Sequence, residues 1–114
     1  MSSRETVSPR EVRHRDREPQ LTVIRWREIP AQVLARRGEE TAKHELSARF
    51  QVAIDRAAMY AGLFGTDEYL SEWAKDTRPC GDDLESEVAA EAARLETQYD
   101  SDTLNDLAAN GGAR

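Results

Sequence analysis

Cysteine and histidine are scarce: Cys80 is the only thiol, and His14 and His44 are the only imidazoles in 114 residues. One cysteine forms no internal disulfide, and two widely separated histidines supply none of the short ligand spacings of a structural zinc site. Long apolar runs are missing as well. No window approaches the roughly 18 apolar residues of a membrane-spanning helix, and the opening "MSSRETVSPREVRHRDREPQ" lacks the apolar stretch of a secretory signal. Nor does one sign of charge prevail: 16 basic and 22 acidic side chains give a net charge of −6 and are intermixed along the chain. That argues against the concentrated positive face of a nucleic-acid-binding surface. A phosphate-cradling glycine loop, a serine elbow and paired catalytic carboxylates are also missing. The expectation is a cytoplasmic, non-enzymatic protein with no cofactor, no metal, no membrane contact and no nucleic-acid partner.

What is present suits one domain of about 80 residues, near the lower limit for a single apolar core. Residues 1–19 carry five arginines (Arg4, Arg10, Arg13, Arg15, Arg17) and four acids, with Val7 and Val12 as the apolar side chains after Met1. This composition predicts a disordered N-terminal tail. Residues 20–99 form the expected domain. Residues 100–114, "DSDTLNDLAANGGAR", are expected to be a flexible C-terminal tail in which Leu104 and Leu107 support at most a helical turn before Gly111 and Gly112 end it.

Within the domain, "LTVIRWREI" has the β-favouring residues and alternation of a strand, which Pro30 stops by Ile29. "AQVLARR" reads as a second strand running back, and "TAKHEL" as a third short one, though a helix also fits it. From Ser47, which can cap the amides that follow, the apolar period becomes helical. Phe50, Ala53, Ile54, Ala57, Ala58 and Ala61 line one face of a central buried helix, Val52 and Met59 widen it, and Gly62 closes it. Thr66 then caps "DEYLSEWAKD", a short helix with an apolar stripe of Tyr69, Leu70 and Trp73 and with Trp73 as its anchor, and a last helix runs from Leu84 to Tyr99 with its glutamates facing water. The predicted fold class is α+β: two or three short antiparallel strands packed against three helices, with disordered tails.

The stretch "TRPCGDD" poses the sharpest functional question. A thiol just before a helix has free amides nearby that stabilise a thiolate. Here Asp82 and Asp83 occupy the cap and first turn, and their charge raises a neighbouring thiol's pKa. Each residue also has a structural role: Arg78–Pro79 ends the preceding helix, Gly81 permits a positive φ, and an aspartate caps the next helix, making a helix-to-helix connector. Cys80 is therefore expected to be a packing or surface cysteine. His44 and Glu45, neighbours on a strand, point to opposite faces and make no acid–base pair. Trp26, flanked by Arg25 and Arg27, has hot-spot composition but is expected to pack on the helical layer.

Taken together, "TVIRWREIPAQVLARRG", "ELSARFQVAIDRAAMYAG", "YLSEWAKD" and "CGDDLESEVAAEAARLE" resemble the small bacterial family labelled "virulence factor". That family's domain also resembles a region of larger conserved virulence factor C proteins. The resemblance covers about Leu21 to Tyr99. It implies no catalytic residue, cofactor or activity. Relatives found near one-carbon and methyl-transfer enzymes, or beside helical repeats and an iron–sulfur-scaffold-like module, imply an accessory role.

Three functions follow as expectations. The first is a protein-interaction or accessory domain that binds another protein. The second is a small subunit assisting a one-carbon, methyl-transfer or metal-cofactor enzyme, with Cys80 and neighbouring acids contacting a metal, corrinoid or folate on the larger protein. The third is nucleic-acid tethering through the arginine-rich tail.

Overall fold

The computed structural model describes residues 18–113. The expected tail of residues 1–19 falls almost wholly outside them, as does His14. Four strands form one antiparallel sheet: β1 (Gln20–Trp26), β2 (Ile29–Arg37), β3 (Glu40–Glu45) and β4 (Trp73–Pro79), in the spatial order β3-β2-β1-β4. Four helices accompany it: α1 (Ala48–Tyr60), α2 (Asp67–Ser71), α3 (Leu84–Gln98) and α4 (Ser101–Ala109). The α+β class stands, with one more strand and one more helix than the sequence pattern suggests.

β1 and β2 meet in a hairpin so tight that Trp26 pairs with Ile29, leaving Arg27 and Glu28 as the whole turn. Arg27 accordingly adopts a φ of +52°, unusual for a side-chain-bearing residue. Pro30 therefore lies inside β2 rather than between strands. Its pairing with Arg25 follows a bulge after Ile24, a place where a ladder tolerates the missing amide hydrogen. "TAKHE" is extended, as the alternation suggests, and buries only Ala42.

The fourth strand corrects the reading of "WAKD" as helix. Helix α2 stops at Ser71, and the chain from Trp73 runs antiparallel along β1, with Trp73 opposite Trp26 and Thr77 opposite Thr22. The two threonine hydroxyls lie 2.9 Å apart. Pairing with a strand some fifty residues earlier overrides the local helical period. Pro79 fits this strand because β4 is at the sheet edge. "TRPCGDD" thus joins a strand to a helix, not a helix to a helix.

α3 packs across β2 and β3, and α1 lies between β2 and α4. α1 buries Phe50, Ala53, Ile54, Ala57 and Ala58 as the period predicts. Gly62 closes it with a φ of +74°: its amide donates to the Met59 carbonyl and the Leu63 amide to that of Ala58. This pairing satisfies carbonyls that the helix end leaves open. Ser47, expected to cap α1, makes no such bond; its amide and hydroxyl both donate to the Glu96 carboxylate.

The expectation of a flexible tail over residues 100–114 is overturned. Asp100 caps α4 by accepting the Thr103 amide at 2.9 Å, and Leu104, Leu107 and Ala108 are buried against α1. Two leucines four residues or fewer apart are too weak a local signal, but they suffice when α1 offers an apolar wall. Gly111 and Gly112 end α4 as expected, with the same paired closing bonds as Gly62. They then return the chain to the β1–β2 turn, where the Gly112 carbonyl accepts the Glu28 amide at 2.9 Å.

Candidate functional site

Trp26, Arg25 and Arg27 stay together, but as a structural clasp. Trp26 is fully buried, its Nε1 donating to the Tyr69 carbonyl at 2.8 Å and its ring 5.5 Å from that of Tyr69. A Cβ on Gly112 would come within 3.1 Å of the indole, so only glycine fits there without displacement. Arg27 stacks on the indole at 5.1 Å, donates from Nε to Glu72 and from Nη1 to the Gly111 carbonyl. Trp26 thus has no surface left for a partner. The anchor role foreseen for Trp73, which is only partly buried, belongs instead to this residue.

Cys80 lies at the opposite end of β1, about 20 Å away along the strand, its amide donating to the Pro19 carbonyl at 3.2 Å. Asp83 caps α3 by accepting the Ser86 amide at 3.2 Å. Asp82 instead reaches Arg37 at 3.4 Å. Gly81 does not have a positive φ; its missing side chain makes room for the Glu87 carboxylate, 2.8 Å from where a Cβ would stand. Burial pushes the Cys80 thiol above its ordinary pKa, and Glu87 and Asp82 add to this against the opposing charge of Arg78. Alkylation by iodoacetamide should accordingly reach half its maximal rate at a higher pH than that of a cysteine in an unstructured peptide. A half-maximal pH at or below the peptide's would show an activated thiolate.

Sequence reasoning missed Glu91. Read as part of the water-facing side of the last helix, it is 6% exposed and accepts from Arg94 Nε at 3.1 Å, Arg94 Nη2 and Arg78 Nη2 at 3.2 Å. The hydrogen bonds from Arg94 hold its carboxyl below the ordinary glutamate range against burial, with Arg78 adding to them. A depressed folded-state pKa means that this stabilisation is present above the unfolded value and lost as pH falls through the folded one. Glu91→Gln should therefore cost about 1–2 kcal/mol at pH 7, discounted because both arginines are half exposed. The difference from wild type should shrink in urea melts below about pH 4, and a constant difference from pH 7 to 2 would contradict this.

The same triad borders a cleft of about 330 Å³ between α3 and the β1–β4 half of the sheet. Arg25 lines it too, with its Nε 2.6 Å from Asp76 Oδ2. That contact raises the pKa of Arg25 and lowers that of Asp76.

A second surface was also invisible in the sequence. Val52 and Met59, expected to widen the buried face of α1, are instead 52% and 61% exposed, and Tyr60, Phe64 and Leu70 are equally open. Leu70 leaves the apolar stripe expected of α2, while Tyr69 packs edge-on to Phe64 and Trp73. Asp55, Asp67 and Glu68 adjoin these residues in sequence, and Arg49 and Arg56 line a hollow together with Val52. His44 is exposed on β3. Among the described residues, no cluster of His, Cys, Asp and Glu is arranged to hold a metal, and no helix is long and apolar enough to cross a membrane.

The architecture of the described residues defines the class: a small α+β domain in which they form a four-stranded antiparallel sheet and four helices. Residues 24–108 match the family model described as Virulence factor, and the chain belongs to that family. No curated protein and no solved structure matches it. The family match continues to residue 108, so it takes in the buried leucines of α4 as well as the blocks from β1 to α3.

Proposed function

We propose that this domain is a non-enzymatic interaction module that docks onto another protein through the apolar surface of residues 52–70. The observation that carries the reading is the exposure of Val52, Met59, Tyr60, Phe64 and Leu70, each more than half open to solvent. Large side chains of this kind, methionine and aromatics among them, are expensive to leave in water and are enriched where proteins meet. Acids (Asp55, Asp67, Glu68) and arginines (Arg49, Arg56) both adjoin them, which favours a partner segment with an apolar face and a rim of mixed charge. A single thiol suits a reducing compartment, so the partner belongs among cytosolic proteins.

The test is affinity purification from the native host with the wild-type chain and with a Met59→Asp/Phe64→Asp variant. Both substituted side chains are exposed, so the variant should melt within a few degrees of wild type. A partner retained by wild type and lost by the variant supports the proposal; a partner retained equally by both contradicts it. Cys80→Ser serves as the second arm. It should leave the partner bound and any associated methyl-transfer activity unchanged, whereas loss of that activity would favour a subunit acting through the thiol.

A further inference from the structure

Burying a carboxylate is a poor route to stability, because desolvation offsets much of what the ion pair gains. Glu91 is nevertheless buried, and its two partners come from different elements, Arg78 from the edge strand β4 and Arg94 from α3. What the arrangement achieves is orientation: the carboxylate fixes two guanidiniums at the border of one cleft. Arg94 is steadied further by Gln98, which accepts from its Nη1 at 2.7 Å, and Arg78 by the Pro79 carbonyl, at 3.2 Å from its Nη1.

The cleft lies where α3, which makes its main sheet contacts with β2 and β3, meets the β1–β4 half of the same face. Val23 gives it a partly open apolar wall, while Leu21, Pro30 and Leu95, also at its lining, are buried. Arg25 adds a third guanidinium, committed to Asp76 through Nε and Nη2 and to the Arg27 carbonyl through Nη1. A guanidinium has five N–H groups, so Arg78 and Arg94 retain donors that none of these bonds uses. Of the lining carboxylates, Asp76 is bound to Arg25 and Glu91 to Arg94 and Arg78, while Glu28 completes the wall. Apolar walls with a few convergent, pre-oriented polar groups are the usual make-up of a small-molecule site, and this volume is at the low end of the range for one. The planar fork of a guanidinium matches a carboxylate bidentately, as it does a phosphate, so discrimination between the two falls to the organic body beside the charge.

We propose that this cleft binds a small organic carboxylate, with the anionic head on Arg78 and Arg94 and the apolar body against Val23. Glu91 is then a positioning residue for both arginines. The site is separate from the docking surface of residues 52–70 and does not depend on it.

The test is amide NMR of the full chain titrated at fixed ionic strength with 3-phenylpropionate, with the neutral 3-phenylpropan-1-ol, and with inorganic phosphate. The acid should give saturating shifts at the amides of Leu21, Val23, Arg78 and Leu95. The alcohol and phosphate should each bind at least about tenfold more weakly. An Arg78→Gln/Arg94→Gln variant should lose affinity for the acid by a similar factor while keeping a dispersed spectrum. Equal binding of acid and alcohol would mean an apolar crevice only, and equal binding of phosphate would mean charge alone. Either result overturns the proposal, as do shifts from the acid that never saturate. Should the double variant fail to fold, the acid-to-alcohol ratio in wild type decides alone.

Discussion

Replacing Trp26 by alanine is expected to lower the unfolding free energy by about 3–5 kcal/mol, the range for deleting a large buried aromatic. The indole is the largest fully buried side chain in the domain and lies where three parts of the chain converge: the β1–β2 turn, α2 and the glycines after α4. Alanine would remove the stacking surface for Arg27 and leave the Tyr69 carbonyl only the Glu72 amide, at 3.3 Å, as a donor. Trp26→Phe separates these effects. It keeps much of the volume but loses the Nε1 hydrogen bond, a difference of about 1–2 kcal/mol. Urea unfolding at neutral pH measures both. A loss below about 1 kcal/mol for the alanine variant would mean that the indole does not hold the clasp together.

Ending the chain at Asp100 is expected to abolish cooperative unfolding altogether. The truncation removes Leu104, Leu107 and Ala108 from the groove of α1 and, with Gly111 and Gly112, the acceptors for Arg27 Nη1 and the Glu28 amide. Each buried leucine alone is worth about 2–5 kcal/mol on truncation to alanine. A domain of this size has only about 5–15 kcal/mol in total. Leu104→Ala, expected to cost about 2–4 kcal/mol, provides a milder variant that still folds. Circular dichroism during thermal unfolding distinguishes the outcomes. A truncated chain with an unchanged midpoint would return residues 101–114 to the status of a dispensable tail.

The second prediction concerns one of the two elements that the sequence conceals best, β4 and α4. The first hairpin, α1 with its Gly62 ending, and α3 with its Asp83 cap are all written in local patterns of alternation, helical period and capping residues. β4 is not, because "WAKDTRP" acquires its strand character from pairing with β1, and Trp73 at helical spacing from Tyr69 and Leu70 suggests the wrong period. α4 is short and mostly polar, so its stability depends on the apolar wall of α1. The candidate site residues divide the same way. The cap role of Asp83 follows from its position before an apolar run, whereas the partnership of Asp82 with Arg37 is a long-range contact without a local signal. Glu91 looks like any solvent-facing glutamate until β4 brings Arg78 over it. Val52, Met59 and Leu70 look like core residues because hydrophobicity predicts burial, and only the assembled fold leaves them outside.

The functional account rests on the apolar surface of residues 52–70 being covered by a partner. Hydrogen exchange of the full chain, alone and in complex with the protein that co-purifies with it, measures that cover directly. The account predicts new protection in peptides spanning residues 52–70, with residues 80–87 around Cys80 exchanging as before. Protection confined to residues 80–87, with 52–70 unchanged, would contradict it.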